Sequence, residues 1–282
     1  MTEQSPDWSP AFEGKARVLA DRAVFRLTGA DRVRYLNGQV SADLAGPLSS
    51  EAKAACLCSI KGKVEALVWV QADADALYLD AEIAQREAIH ARLERYLIAD
   101  DCEVEDLTDQ ARLVHHFHDD LPGIRSRRFG PQGPEGRDWI GGIDDSQLDQ
   151  IPAIQDEEWD LAGLYYKIPR WGLEIRGDEF PAELGLDSWA VDFHKGCYLG
   201  QEIVSRIKSA GKVRRRLRRI VAEHPLAQGA RVVLEDGRTG ELTRDAKDFG
   251  GKKYRSLAMV GELRPVFQLD QNEEVEKVSI DD

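Results

Sequence analysis

Short apolar and polar runs alternate through the first fifty residues. The alternation over residues 16–27 predicts strand. Asp31 follows, and Val33, Leu36 and Val40 come after it at helical spacing. Aspartate is a favoured residue at the start of a helix because its carboxylate accepts a backbone N–H. The pattern therefore predicts one or two strands and then a helix that begins at Asp31.

The next block has the clearest pattern in the chain. A Lys-Gly-Lys turn at residues 61–63 joins two apolar runs, which predicts a hairpin. In order, the predicted elements are strands at 54–60, 64–71 and 76–81, a helix with its apolar face within 83–97, and a strand at 102–107. The order β-β-β-α-β predicts an antiparallel sheet with a helix on one face, an α+β unit.

The rest of the chain changes from helix to strand. A helix is predicted up to about Tyr166, and Pro169 stops it. Short strands separated by glycines predict a small all-β barrel or sandwich after residue 216, with strands at 217–222, 231–234, 239–243, 256–260 and 267–269. The last dozen residues are acidic and are expected to be frayed.

Composition and charge narrow the function classes. The 282 residues suffice for two or three compact units. The formal net charge of −13 argues against affinity of the whole molecule for DNA or an anionic membrane. No apolar run approaches the ~20 residues of a membrane helix, and the N-terminus lacks a secretory or transit pattern. We therefore expect a cytoplasmic protein with no membrane partner.

A basic stripe at residues 214–219 stands out in this acidic chain, with Arg206 and Lys208 before it. It is a candidate anion site for a folate glutamate tail, a nucleic-acid phosphate or an acidic partner. The alternative is a solvated strand face. Aromatic residues do not interleave with the stripe, so a nucleic-acid partner is not expected.

The segment richest in chemistry is residues 195–202, Lys-Gly-Cys-Tyr-Leu-Gly-Gln-Glu. Gly196 and Gly200 bracket the Cys-Tyr-Leu step and allow a sharp turn or the close approach of a ligand. Lys195 lies two residues before Cys197, and a nearby ammonium favours the thiolate form of cysteine. The alternative is a tight turn around a buried cysteine.

This octapeptide resembles the K-G-C-Y-x-G-Q-E motif of the YgfZ-type proteins, which belong to the glycine-cleavage T-protein-like superfamily. Three further segments are similar to parts of that family. Residues 180–187 resemble its P-x-E-x-G-L-D run, residues 29–40 its N-terminal helix, and residues 61–63 its K-G-R hairpin. The resemblance covers most of residues 20–220.

The resemblance implies a fold as well. The expected fold is α+β, a clover-leaf of three domains around a central hole, which holds a folate in the related aminomethyltransferases. The implied limits are a split folate-binding domain at 1–48 plus 111–206, an inserted α+β domain at 49–110, and a C-terminal β-barrel at 207–282.

The implied function is a folate-binding accessory factor for the assembly or repair of iron–sulfur clusters in target enzymes. The implied cofactor is tetrahydrofolate or a related reduced folate, and a transient iron–sulfur cluster is a further candidate. The implied partners are iron–sulfur assembly or client proteins. No resident metal site is expected, and Cys197 is a candidate cluster ligand.

The motif also implies the site residues. Lys195, Cys197 and Tyr198 would form the functional core, with Cys197 as thiolate. The residues expected to shape the site or bind the cofactor are Gly196, Gly200, Gln201, Glu202, Glu183 and Arg206.

Two departures from the family bear on the chemistry. T-proteins carry an Asp-Asp pair after the hairpin, and here Ala66 and Leu67 take that place, with Glu65 one residue earlier. Methyl and isobutyl groups cannot accept a proton, so a classical aminomethyltransferase is not expected. Residues 165–169 replace an R-I-x-x-G-I-P pattern, and the pterin-binding glutamate expected near them is missing.

Two other functions stay open. One is a tetrahydrofolate-dependent aminomethyl or methyl transferase, which would need a carboxylate near the folate nitrogens. The other is a tRNA-associated binding protein that uses the stripe at residues 214–219.

Overall fold

The computed structural model describes residues 8–46, 48, 50–118, 121–141, 145–249, 253–262 and 275–281. The described strands form three sheets. The strands are β1 (Ala16–Val18), β2 (Arg22–Thr28), β3 (Lys53–Cys58), β4 (Val64–Ala72), β5 (Leu77–Glu82), β6 (Glu103–Asp106), β7 (Arg112–His116), β8 (Ile124–Ser126), β9 (Gly136–Gly141), β10 (Arg215–Ala222), β11 (Arg231–Leu234), β12 (Thr239–Leu242), β13 (Lys247–Asp248), β14 (Tyr254–Gly261) and β15 (Glu276–Ile280).

The helices are short and connect or cover these sheets. They are α1 (Ser9–Phe12), α2 (Arg32–Asn37), α3 (Arg86–Arg95), α4 (Asp145–Leu148), α5 (Asp156–Tyr165), α6 (Pro181–Leu184) and α7 (Gln201–Ala210), with single 3₁₀ turns at Ile83–Gln85 and Leu186–Ser188. None of the helices in the described part of the chain combines the length and apolar character of a membrane span.

The predicted β-β-β-α-β block is confirmed as β3, β4, β5, α3 and β6. Its sheet has the strand order β3-β4-β5-β2-β6, so β2 from near the start of the chain lies between β5 and β6. β2 pairs antiparallel with both neighbours. The implied domain limits stay a prediction, and this sheet draws strands from both sides of residue 48.

The two faces of this sheet differ in the residues they carry and in what packs against them. One face carries alternate residues such as Phe25, Ala66 and Leu79, which pack in a buried cluster with Leu36 of α2 and Leu93 of α3. The opposite face carries Arg22, Leu67, Trp69, Asp80 and Glu82. Because side chains alternate along a strand, the residues that do not enter the helical core point the other way, toward the centre of the molecule.

The C-terminal region is a closed barrel of five strands in the order β10-β15-β11-β12-β14, which closes through pairing of β14 with β10; β13 extends β14 at its edge. The expectation of a frayed acidic tail is wrong for residues 276–280. β15 pairs antiparallel with β10 and parallel with β11, and its Val278 is buried in the barrel core. The strand predicted at 267–269 lies outside the described residues.

The third sheet has the order β1-β7-β9-β8. Helix α5 contributes Trp159 to an aromatic cluster with Phe12, Phe117 and Phe129 beside this sheet. The ring centroids of Phe129 and Trp159 are 4.5 Å apart. The helix ends at Tyr165, close to the predicted end.

Candidate functional site

A cavity of about 630 Å³, including its open mouth, lies where the polar face of the five-stranded sheet meets α5 and residues 168–170. Trp69 forms its sheet wall, and Phe129 and Trp159 form part of the opposite wall. Aromatic and charged side chains thus face one common space that opens to solvent.

The sheet wall is held by a buried charge network. The guanidinium of Arg128 donates to both carboxylate oxygens of Asp80, at 2.7 and 2.8 Å, and also contacts Asp138 at 2.7 Å. Arg22 donates to Asp80 at 2.7 Å. Both guanidinium groups lie over the Trp69 ring, with the Arg128 and Arg22 carbons 4.8 and 5.1 Å from its centroid.

The charge of Asp138 is set by opposing effects. Burial disfavours its ionised form, but attraction to Arg128 and the 2.7 Å hydrogen bond with His115 outweigh burial. The pKa of Asp138 is therefore held well below its usual range. The network therefore holds paired charges at the indole of Trp69, and Arg22 and Arg128 line the cavity together with it.

The remaining arginines at the cavity also have carboxylate partners. Arg170 lies 3.0 Å from Asp160, and Arg244 donates to Glu174 at 2.9 Å through its Nε. Glu174 is buried and also accepts a hydrogen bond from the Arg170 backbone. These pairs connect the barrel strand end at Arg244 to the loop after α5.

Ala66 and Leu67, which stand in place of the Asp-Asp pair of the T-proteins, lie on opposite faces of β4. Leu67 lines the cavity, whereas Ala66 packs in the helical core on the other face. The pairing of β3 with β4 skips Glu65, because Leu57 lies opposite Ala66 and Cys58 opposite Val64. The carboxylate of Glu65 pairs with Arg92 of α3. Glu65 therefore faces away from the cavity and does not replace the missing pair.

A second groove, of about 1400 Å³, shares Trp69 with the cavity. Trp189, Phe193 and His194 line it as well, so it runs up to the start of the motif segment. Among the described residues, none of the motif residues 195–202 lines the cavity itself. The motif thus begins next to the end of this groove and lies outside the cavity.

Lys195 is bound to the end of helix α2. Its ammonium donates to the backbone carbonyls of Asn37, Val40 and Ala42 at 2.7, 2.9 and 2.7 Å. The ammonium thus joins the last residue of α2 to the segment that follows it, since Asn37 ends the helix and Val40 and Ala42 lie beyond it. Burial lowers the pKa of Lys195 to about 8, against the attraction of Asp43 and Asp192. Its predicted effect on the Cys197 thiolate stays a prediction.

The second glycine of the motif contacts the hairpin. A Cβ on Gly200 would lie 2.3 Å from the backbone oxygen of Ser59 and 3.1 Å from the Cα of Gly62. Gly200 also has a φ of 87°, and it precedes helix α7. Two of the segments that carry the family resemblance, residues 61–63 and 195–202, therefore pack directly against each other.

Cys197 is the exposed cysteine of the four, and Cys56, Cys58 and Cys102 are buried. Gly196 beside it is exposed, and a Cβ there would meet no atom within 4 Å. The thiol is therefore open to a partner molecule, and the expectation of a buried cysteine in a turn does not apply.

Tyr198 points inward. Its side chain is 6% exposed, and its hydroxyl has no hydrogen-bond partner among the described residues. Burial raises the pKa of Tyr198, and Cys58 and Cys56 add to the rise. The phenol therefore stays neutral. The ammonium of Lys195 lies 5.4 Å from the centre of its ring.

The other predicted cofactor-binding residues have protein partners. Gln201 donates to the Lys195 carbonyl at 3.4 Å, and Glu202 pairs with Arg206 at 2.6 Å on the exposed side of α7. Glu183 is buried, and its carboxylate accepts the Phe180 N–H at 3.0 Å. Within the described chain these residues shape the motif loop and its surroundings, and they do not line the cavity.

Most of the basic stripe is half-buried, and Arg214 is exposed. Arg215 pairs with Glu179 at 3.0 Å, Arg216 donates to the Ala182 carbonyl, and Arg218 pairs with Glu262 at 2.9 Å. Arg219 is buried and covers the Tyr165 ring at 4.2 Å. The stripe thus joins the barrel to α6 and α5.

The loop after α5 departs from the family pattern in its backbone as well. Lys167 has a φ of 56°, in the left-handed region that favours glycine. It stands where the R-I-x-x-G-I-P pattern has its glycine. The Ile168 N–H then donates to the Gly163 carbonyl at 2.8 Å, which closes the end of the helix. The expected turn is kept although the residue differs.

Sequence reasoning missed the sheet wall, namely Arg22, Trp69, Asp80 and Glu82. The available signal was the pattern itself, because charged residues occur inside two otherwise buried strands. A charged side chain in such a place needs a partner or a ligand. Arg128, which supplies most of the partners, comes from a loop that carried no signal.

Comparison with known proteins identifies relatives of two names. No family profile matches the chain. It is 24% identical over 212 residues to the tRNA-modifying protein YgfZ of Aliivibrio fischeri, a match that covers 68% of this chain and 66% of that protein. It is also 24% identical over 260 residues to the iron-sulfur cluster assembly factor IBA57 homolog, mitochondrial, of Chaetomium globosum. That match covers 79% of this chain and 60% of that protein. The chain thus spans just under two thirds of their lengths.

The fold has a solved relative. The glycine cleavage system aminomethyltransferase T from Bartonella henselae superposes with a TM-score of 0.69 at 16% identity, covering 90% of this chain and 80% of that one. This similarity establishes the predicted α+β fold with its C-terminal barrel. Through its sequence relatives and the intact motif the chain is similar to the YgfZ-type proteins, and the solved structure shows that it has the fold of the T-protein.

Proposed function

We propose that this chain is a folate-binding accessory factor for the assembly or repair of iron–sulfur clusters in target enzymes. Two relatives support the class, one named an iron-sulfur cluster assembly factor and the other a tRNA-modifying protein. The observation that carries the proposal is the pairing of an aromatic-walled cavity with an exposed cysteine in the motif segment.

The cavity is the proposed place of the reduced folate. The pterin of a folate is planar and polar at its edge, and Trp69, Phe129 and Trp159 offer faces against which such a ring packs. The groove that shares Trp69 with the cavity is the proposed place of the tail, and His194 lies among its lining residues.

Cys197 is the proposed reactive thiol. Iron–sulfur clusters need several thiolate ligands, and the described residues contain no group of three metal-binding side chains. We therefore expect Cys197 to be one ligand of a set that this chain does not complete, and a client or assembly protein would supply the others. In this proposal the cluster is cargo, and the cavity and the thiol act at separate places.

Anaerobic calorimetry with tetrahydrofolate tests the folate part. The native chain and Cys197→Ala are both expected to bind saturably, because the thiol lies outside the cavity. The absence of heat of binding at millimolar tetrahydrofolate would disprove it. The thiol part is tested in a host that lacks the gene, where Cys197→Ala should restore iron–sulfur enzyme activities less fully than the native gene does.

A second candidate is direct binding of tRNA, favoured by the name of the YgfZ relatives. The residues at 215–219 are engaged in ion pairs and hydrogen bonds, and the formal net charge is −13. Direct tRNA binding through this stripe is therefore expected to be weak. A mobility shift at low salt that vanishes steeply as salt rises would support direct binding, because it indicates phosphate contacts.

The third candidate, an aminomethyl or methyl transferase, requires a carboxylate at the folate nitrogens. Glu65, the substitute suggested by the sequence, pairs with Arg92 on the other face of the sheet. Tetrahydrofolate-dependent turnover of a methylamine donor that disappears in Glu65→Gln would favour this candidate.

A further inference from the structure

We propose that Glu82 is the ligand-binding carboxylate of the cavity, and that it accepts hydrogen bonds from adjacent N–H donors on the edge of a planar nitrogen heterocycle. This inference rests on the proposed function, because the pterin of a folate presents such an edge. It concerns a residue that the sequence resemblance does not single out.

The position of Glu82 is the first argument. It is the last residue of β5 and pairs with Arg22 of β2. On the other side, Trp69 of β4 lies opposite Asp80 of β5. Continuing that antiparallel register by two residues places Leu67 opposite Glu82. Both line the cavity. A carboxylate thus stands one strand away from the position where the family resemblance expects one.

Charge pairing is the second argument. Each cavity arginine has a carboxylate partner other than Glu82: Asp80 for Arg22 and for Arg128, Asp160 for Arg170, and Glu174 for Arg244. Among the described residues Glu82 has no ion-pair partner. One of its oxygens accepts the Trp171 N–H at 2.8 Å. The other oxygen has no protein donor in the described part of the chain.

The surroundings of Glu82 favour a donor ligand. Burial raises its pKa, although the Trp171 N–H and the attraction of Arg22 and Arg170 oppose the rise. A carboxylate so placed lacks part of the hydrogen bonding that water would give it, so a ligand with two N–H groups would offset that loss. Trp69, Phe129 and Trp159 line the same cavity and offer aromatic faces to such a ring.

The other carboxylates at the cavity are less suited than Glu82 to bind N–H donors of a ligand. Asp160 is paired with Arg170, and its side chain is 51% exposed. Asp21 lies at the exposed rim. Exposed carboxylates keep their water, and a hydrogen bond from a ligand replaces one from solvent with little gain. Glu82 is therefore the group through which the cavity distinguishes ligands.

The test uses Glu82→Gln in the full chain, with Asp21→Asn and Glu87→Gln as controls. Glutamine keeps the size of the side chain and an oxygen for the Trp171 N–H, but it replaces the second acceptor by an amide that donates. We expect Glu82→Gln to weaken tetrahydrofolate binding at least tenfold in calorimetry. Asp21→Asn removes a rim carboxylate and should weaken binding less than Glu82→Gln does, and Glu87→Gln, at an exposed residue of α3 away from the cavity, should change it less than twofold. Binding of p-aminobenzoylglutamate, which lacks the pterin, should be equal in the native chain and in Glu82→Gln.

A ligand-side measurement removes dependence on the folding of the variant. A tetrahydrofolate analogue with a methyl group in place of the 2-amino group should bind the native chain at least tenfold more weakly than tetrahydrofolate does. Equal affinity of the native chain for both ligands would overturn the inference, as would unchanged tetrahydrofolate binding by Glu82→Gln. Failure of the native chain to bind tetrahydrofolate would instead overturn the folate proposal, and this inference with it.

Discussion

Gly200 lies against Gly62 so closely that a Cβ on Gly200 would stand 3.1 Å from the Gly62 Cα. Gly62 has a φ of 70°, and a Cβ on it would meet the Ile203 side chain at 3.0 Å. The hairpin turn and the start of α7 therefore fit each other only without side chains at these two positions. This contact fixes the motif segment on the sheet that forms the cavity wall.

The first prediction concerns this contact. Gly200→Ala should destabilise the chain by roughly 2–4 kcal/mol, because the alanine would adopt a left-handed φ and also meet the Ser59 backbone oxygen at 2.3 Å. Urea unfolding followed by circular dichroism measures the change. The control is Gly196→Ala in the same motif, where φ is not positive and the added Cβ meets nothing within 4 Å. It should stay within about 0.5 kcal/mol of the native chain. Equal losses in both variants would contradict the prediction.

The second prediction concerns Lys195. Lys195→Met should cost roughly 2–4 kcal/mol, since it leaves the carbonyl at the end of α2 and two carbonyls in the segment after it without their donor. Lys61→Met, at an exposed lysine of the hairpin turn, should change stability by less than about 0.5 kcal/mol. A Lys195→Met protein as stable as the native one would show that the ammonium does not hold the helix end.

Cysteine reactivity gives the third prediction. In the folded chain one thiol, that of Cys197, should react rapidly with a disulfide reagent such as Ellman's reagent, because the other three cysteines are buried. Cys197→Ala should remove the rapid phase of the reaction. Denaturation should expose the three buried cysteines, which should then also react. A rapid phase that survives in Cys197→Ala would mean that a buried cysteine becomes accessible through local opening.

The fourth prediction follows from the charge network. Asp138→Asn should cost roughly 3–5 kcal/mol near pH 7, because it leaves the buried Arg128 short of a carboxylate. The pKa of Asp138 is lowered by folding, so the folded chain binds fewer protons than the unfolded one as the pH falls through the ordinary value of 3.8. The contribution of ionised Asp138 to the free energy of unfolding is complete above pH 3.8 and is lost as the pH falls below that value.

The stability difference between native chain and Asp138→Asn should therefore shrink as the pH falls below about 4. Urea unfolding at several pH values measures it, with Asp75→Asn at an exposed aspartate as the control. A difference that stays constant down to the acid transition would mean that folding leaves the pKa of Asp138 unchanged.

Much of the fold is readable from the sequence because local patterns carry it. The apolar runs on each side of residues 61–63 specify a hairpin, and the spacing before Tyr166 specifies helix α5. β15 was missed because its ionised residues alternate with only a few apolar ones, and its stability comes from pairing with β10 and β11. Pairing with distant strands leaves no local signal.

The candidate site is only half readable. The motif residues are recognised from their order, and the exposure of Cys197 agrees with a reactive role. The cavity wall is different, because Arg128 from a loop meets Asp80 from a strand forty-eight residues earlier. Such a contact depends on tertiary arrangement, and one sequence does not encode it in any short segment. The same is true of Lys195, whose partners at residues 37–42 are about 155 positions away.

The position of β2 decides where the chain can be divided. Residues 22–28 supply the strand between β5 and β6, so a fragment that begins at residue 49 would have a gap inside its sheet and two strand edges open to pairing with other molecules. Expressed alone, residues 49–110 should associate or remain unfolded. A fragment from residue 21 to residue 110 would keep all five strands, and its ends would come together at the rim of the cavity, where Asp21 stands. If residues 21–110 are exchanged between relatives, the first junction should therefore lie before residue 22.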